Sequence, residues 1–209
     1  MFGPFRSSLL QKTRRSLIAF AALTIATLGH AAPVDDARIA LVAGIDEVSS
    51  ALRERPKQDD LVKLLDTLVD KHFAFETTTR LAIGPAWRDL QPTEQQSLTK
   101  LFSHLVIRTY VDRIGGDSAP QVVYSAPTEL RPGRVEIPTR VTSAGQTYAI
   151  AYRLELNPST QRWRVYDIVA EGVSLISNYR SQFDPIVRKS GAAGLIKTLE
   201  LKLADSTAR

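Results

Sequence analysis

Three kinds of side chain in this sequence are of the type that performs nucleophilic or acid–base chemistry: Ser174 close behind Gly172, the histidines His72 and His104, and Asp167. Gly172-Val-Ser174 follows an apolar run and precedes a helical pattern, the setting of a strand-to-helix nucleophile elbow, but the second glycine of that turn is missing. Ser174 reads instead as a helix N-cap. His72 continues the apolar stripe set by Leu61, Leu65 and Leu68, as a packing histidine does, and His104 falls one residue off the apolar face of its own segment, toward water. Asp167 lies between Tyr166 and Ile168 in an apolar strand, where a carboxylate needs a cationic partner. Arg180, or another arginine, is the partner the sequence offers, in a structural salt bridge or at the rim of a binding site. There is no cysteine, so disulfides and thiolate chemistry are excluded, and no glycine-rich phosphate loop or metal-ligand cluster is present. These residues describe a binding protein rather than an enzyme, with no metal and no cofactor.

The elements that must carry them divide into helices first and strands later. Asp35-Asp36 opens a helix with Leu41, Ile45, Val48 and Leu52 on one face, broken around Pro56. Asp59-Asp60 opens a second, with Leu61, Leu64, Leu65, Leu68 and Val69 in a stripe. A short helix over Thr77–Ile83 stops at Gly84-Pro85, and Thr93-Glu-Gln-Gln96 reads as a capping box for a long helix with Leu98, Leu101, Phe102, Leu105 and Thr109 on one face. That helix ends at Gly115-Gly116. The period then changes to two. Gln121–Ser125, the stretch around Val135, Ile137, Thr139 and Val141, the stretch Tyr148 to Leu156, and Trp163–Ala170 read as strands joined by short turns, hence an antiparallel sheet. Pro138 implies an edge or a bulge. The run Ile168-Val169-Ala170 asks for cover on both faces. Two further helical segments follow Ser174, with Asp184-Pro185 as cap and first position of the second or as a kink, and Ala204–Arg209 is a polar tail.

The N-terminal residues read as an export leader. Lys12, Arg14 and Arg15 precede the apolar run Ser16–Leu28, which is too short to span a bilayer, and Gly29 and Ala31 supply the small residues of a cleavage site. Thr13-Arg14-Arg15 partly resembles a twin-arginine signal, but paired arginines are common in general secretory leaders. The expectation is a signal peptide over 1–31 and one domain over 32–209, located in the periplasm. The leader holds four basic residues and no acid, so the remainder carries 23 basic against 22 acidic residues, and the formal charge falls from +5 to +1. The composition therefore gives no case for nucleic acid.

Two blocks carry a family resemblance. One is Trp163-Arg-Val-Tyr-Asp167-Ile-Val-Ala-Glu-Gly172-Val-Ser174-Leu-Ile-Ser-Asn178-Tyr-Arg180-Ser-Gln-Phe183. The other is Phe73-Ala-Phe-Glu76, then Arg80-Leu-Ala-Ile-Gly84-Pro-Ala-Trp87, then Phe102 to Tyr110. Their order and spacing resemble the MlaC-type periplasmic phospholipid carriers, the toluene-tolerance auxiliary family. The pattern alone leaves a solid core and an apolar pocket both open. The resemblance implies the pocket: an α+β fold, nuclear-transport-factor-like, with a curved antiparallel sheet and several helices around an apolar cavity. It further implies a phospholipid as cargo, and a shuttle between an outer-membrane lipoprotein–porin complex and an inner-membrane ABC transporter complex that maintains outer-membrane lipid asymmetry. The rival readings are a hopanoid-type lipid carrier, a pocket enzyme on a similar cone, and a non-lipid envelope adaptor.

Shielding two tails of about sixteen carbons from water is worth on the order of 25 kcal/mol at about 0.8 kcal/mol per methylene, which requires a cavity on the order of 1,000 Å3. Phe102, Leu105, Ile150, Val165 and Val169 are of the aliphatic or aromatic kind that would line it, and Tyr110 and Tyr152 suit its mouth. Intact-mass measurement of the exported protein should give a chain beginning near Ala32; retention of residues 1–31 would overturn the leader assignment.

Overall fold

The computed structural model describes residues 33–53, 58–114, 120–143 and 145–207; the leader assignment lies outside them. Helix α1 spans Pro33–Arg53, α2 Gln58–His72 and α3 Phe75–Ile83, followed by a 3₁₀ turn over Gly84–Asp89 and the long helix α4, Pro92–Ile114. Helix α4 starts two residues earlier than the Thr93 cap implied. Gln91 donates its backbone N–H to Glu94 Oε2 at 2.9 Å, so Glu94 is the third helical residue and Pro92 the first, where a missing N–H costs nothing.

Six strands form one antiparallel sheet: β1 Gln121–Tyr124, β2 Thr128–Arg131, β3 Arg134–Ser143, β4 Gln146–Asn157, β5 Arg162–Ala170 and β6 Val173–Ser174. Strands β1 and β2 both pair with β3, one above the other. Pro138 sits opposite the gap between them. Its carbonyl accepts from Ser125 N at 2.9 Å, and since a strand residue turns N–H and C=O to the same side, the missing N–H faces that gap. Neither β2 nor β6 is visible in the sequence pattern: β2 is exposed at all four residues and β6 is two residues long. Glu171 and Gly172 join β5 to β6 with φ of 48° and 79°, the two left-handed residues that a two-residue hairpin turn demands.

The long C-terminal helix α5, Leu175–Thr207, runs through Asp184-Pro185 without dividing. Pro185 is exposed, and the Ser181 carbonyl it leaves unpaired within the helix belongs to an exposed residue. The break comes at Gly191, whose φ of 63° and ψ of −163° belong to a region open essentially only to glycine. The segment after Ala204 continues this helix to Thr207 rather than forming a separate tail.

Strand β5 carries the pivotal irregularity. Arg153 pairs with Asp167 but Leu154 pairs with Val165, so Tyr166 is an extra residue in the strand. Trp163, Val165 and Ile168 therefore share the face turned to α1, while Asp167 and Val169 point to the other face. There Asp167, 2% exposed, meets its partners: Arg153 Nη1 at 3.1 Å, Ser174 Oγ donating at 2.7 Å, and the Ile176 backbone N–H donating at 3.1 Å. Ser174 in turn accepts from Ser177 N at 3.2 Å and caps α5. Arg180 is not the partner. It lies across Gly84, where even a Cβ would come within 2.7 Å of Nη2. Burial acts to lower the Arg153 pKa, but the hydrogen bond to Glu136 and the charges of Glu136 and Asp167 outweigh it and raise it overall.

Asp167→Ala should cost about 3 kcal/mol, at the low end for a broken buried ion pair because Arg153 keeps Glu136 and some water. Ser174→Ala should cost about 1–2 kcal/mol. Urea unfolding of both variants checks the order; equal losses would show that the carboxylate is not the central tie.

Candidate functional site

The two faces of the sheet have opposite chemistry. Toward α3 and α5 lie Glu136, Arg153 and Asp167 in one cross-strand row and Arg134 with Glu155 in the next, the latter pair 2.8 Å apart. Thr77 Oγ1 on α3 donates to Glu155 at 2.6 Å, and the Arg134 guanidinium stacks 4.2 Å from the Tyr166 ring centroid. Toward α1 the rows are apolar. Val135, Leu154 and Val165 are nearly or fully buried, and Ile137, Tyr152 and Ile168 follow; next come Tyr124, Thr139, Ile150 and Ala170, then Val122, Val141 and Tyr148. Burial fades along this series, from 1% exposed at Val135 and Leu154 to 40% at Tyr148. Helix α1 covers the deep end with Ala37 and Leu41, and the shallow end is open.

Helix α1 is fastened from behind. Glu47 accepts from Lys71 Nζ at 2.7 and 2.8 Å and pairs with His72 Nε2 at 2.7 Å; hydrogen bonds from Lys71 and then His72 hold its carboxyl below the ordinary range. The His72 ring packs against Gly44, so the packing role its spacing implied is the one it has. Phe73 and Ala74, just beyond, close the free edge of β5: Ala74 N donates to Val165 O at 2.8 Å, and Thr78 Oγ1 to Tyr166 O at 2.7 Å.

Of the residues singled out in the sequence, Ile150, Tyr152 and Val165 come together on the apolar face. Val169 sits on the opposite face because of the bulge at Tyr166, a shift that regular alternation does not reveal. Phe102 and Leu105 belong to a separate core of helices, where the Phe102 ring centroid lies 4.7 Å from Tyr179 and 5.1 Å from Phe183. Tyr110 is in the last turns of α4 and its side chain is outside the described residues. Tyr124 was missed, although it alternates with Val122 in a four-residue strand and lands beside Tyr152.

A cleft of about 510 Å3 separates α2 from α4. Asp66, Asp70 and Glu76 line one side, Gln95, Thr99 and His104 the other, with Phe75 and Trp87 among its apolar lining. His104 Nε2 and Asp66 Oδ1 approach to 3.4 Å across it. None of the six candidate lipid-wall residues with described side chains, Phe102, Leu105, Ile150, Tyr152, Val165 and Val169, lines this cleft. Among the described residues no group of three or more acidic, histidine or cysteine side chains could hold a metal, and no helix is long and apolar enough to cross a membrane.

The apolar face has two phenols set into it. Burial, and then the neighbouring Tyr124, push the Tyr152 phenol up to about 12; burial, and then Asp46, raise Tyr124, against a smaller lowering by Arg38.

Comparison with known proteins bears on what such a face does. The pattern of the MlaC protein family matches residues 43–201. The fold is similar to that of the phospholipid-binding protein from Ralstonia solanacearum, solved in complex with a phospholipid. The two are 27% identical with a TM-score of 0.72, and the match covers 82% of this chain and 99% of that one.

The raised Tyr152 value sets an alkaline limit. Above about pH 10 the unfolded chain releases this proton while the folded chain retains it, so stability falls as pH rises from about 10 to about 12. Between pH 9 and 11 the loss from this group is about 1 kcal/mol. Urea unfolding at the two pH values should show Tyr152→Phe losing less than the parent; equal losses would place the phenol in water.

Proposed function

The chain belongs to the MlaC protein family, and from that premise we propose that it is a phospholipid-binding carrier whose lipid tails lie against the α1 face of the sheet. The observation that carries this reading is the graded apolar face. A solid core would be covered along its whole length, whereas here apolar rows continue from Ile137 past Ile150 to Val141 beyond the cover of α1. A soluble carrier needs such continuity, because each methylene left in water costs about 0.8 kcal/mol. The Ralstonia protein, similar over nearly its whole length, binds a phospholipid and supports the same ligand class here. Tyr152, Ile150 and Val165 are the wall residues in this reading.

The wider role follows from the same premise. The carrier works in the periplasm after removal of its leader, takes lipid at an outer-membrane lipoprotein–porin complex or an inner-membrane ABC transporter complex, and delivers it to the other, maintaining outer-membrane lipid asymmetry. It performs no chemical step. Transfer requires that tails be held by many weak contacts rather than a few strong ones, so that a partner surface of equal apolarity can accept them. An aliphatic wall with few polar atoms meets that demand.

Protein purified without detergent should carry phospholipid, identified by mass spectrometry of the organic extract. Ile150→Asp, at the open end, should lose most of that lipid while staying folded; Ile137→Asp, at a fully buried position, should unfold the domain. A polycyclic lipid in the extract would favour the hopanoid-type carrier. No lipid at all on the parent protein, or a full load on the Ile150→Asp variant, would sink the assignment of this face.

A further inference from the structure

Tyr124 and Tyr152 stand where the apolar face changes character. Tyr152 lies in the row with Ile137 and Ile168, next to the buried row of Val135, Leu154 and Val165. Tyr124 lies one row further out, opposite Thr139, on the other side of β3. Beyond them the face opens at Val141 and Tyr148. The two rings thus mark a boundary between a covered apolar end and an exposed one.

Two other hydroxyls on this face are in use. Thr139 Oγ1 donates to the Ile150 carbonyl at 2.7 Å, and the Tyr148 hydroxyl donates to Gln146 Oε1. The hydroxyls of Tyr124 and Tyr152 have no hydrogen-bond partner among the described residues. Phenols normally find a partner when drawn toward an apolar interior, and two neighbouring neutral donors in adjacent rows of a mostly apolar wall are complementary to a pair of neutral acceptors set close together.

A diacyl lipid has such acceptors at one depth only. Its tails have none, its phosphate is charged and remains best solvated in water, and its two ester carbonyls lie between. Resting on the carrier reading above, we propose that Tyr152, with Tyr124 beside it, donates to the ester carbonyls of the bound lipid and so fixes how deeply the molecule sits. The pair selects for the linkage between tail and glycerol, not for the headgroup. Tail contacts alone would let the lipid slide along the strands; two donors in adjacent rows give it a register. Burial that keeps both phenols protonated well above neutral pH keeps them donors under all ordinary conditions.

The test is a competition. Delipidated protein is incubated with vesicles holding equal amounts of dipalmitoyl phosphatidylethanolamine and its dihexadecyl ether analogue, which has the same headgroup and tail length but no ester carbonyls. The lipid taken up is then quantified by mass spectrometry. The parent protein should favour the ester form by roughly three- to tenfold, the worth of one neutral hydrogen bond. Tyr152→Phe, which keeps the ring and removes the donor, should bring the ratio close to one, and Tyr124→Phe should reduce it part way. A parent ratio of one, or a Tyr152→Phe ratio equal to the parent's, overturns the proposal while leaving the carrier reading intact. A parent that takes up neither lipid removes the carrier reading and this inference with it.

Discussion

A single buried carboxylate holds the architecture to its geometry. Asp167 receives Arg153 from the neighbouring strand, the Ser174 hydroxyl from the turn beyond, and the Ile176 amide at the start of the C-terminal helix. An unpaired charge at 2% exposure would be costly, so the three donors must converge wherever this side chain is placed. Its negative charge also sits at the positive end of a helix dipole, which favours the same arrangement. Sheet, hairpin turn and helix are thereby fixed relative to one point, and the bulge at Tyr166 is the local adjustment that puts the carboxylate there.

That adjustment allows one sheet to have two unlike faces. On the helix side, Glu136–Arg153–Asp167 and Arg134–Glu155 form cross-strand rows whose charges satisfy one another, leaving α3 and α5 to pack around a polar lattice. On the α1 side, Val135, Ile137, Leu154 and Val165 form an unbroken apolar floor. The ion pairs specify which face is which, since a slip of one residue would bury every charge of the lattice under α1. The apolar face can then be broad and chemically plain, which suits a ligand without fixed polar groups along most of its length.

Much of this could be read from residue order. The alternation in β3 and β4 has period two over ten and twelve residues, and the stripe of Leu65, Leu68 and Val69 has the helical period, so element type and antiparallel pairing were legible. What was hidden has a common origin in geometry that side-chain type does not encode. A bulge is one extra residue with no compositional mark, so Val169 was assigned to the face of Val165 and Asp167 to Arg180. The apolar stripe of α4 states that Phe102 and Leu105 are buried but not against what, and both belong to the helical core that holds Tyr179 and Phe183 rather than to the core on the sheet. Proline was a weaker divider than glycine in α5, because Pro185 is exposed whereas Gly191 adopts dihedrals open to almost nothing else. Tyr152 was legible as a mouth residue; its neighbour Tyr124 lies in a strand too short to show a period.

The contact of α1 with β5 has a consequence for how the chain reaches this state. The strands from β3 to β6 pair with sequence neighbours through short turns, so the meander can assemble locally and quickly. Helix α1 packs against a strand more than a hundred residues further along. As the chain is made from its N-terminus, Leu41 and Ile45 exist for most of synthesis without the surface they will cover. The first of the described helices to be made is thus among the last to be buried, and the apolar stripe of α1 is where a nascent chain is most open to chaperones and to self-association.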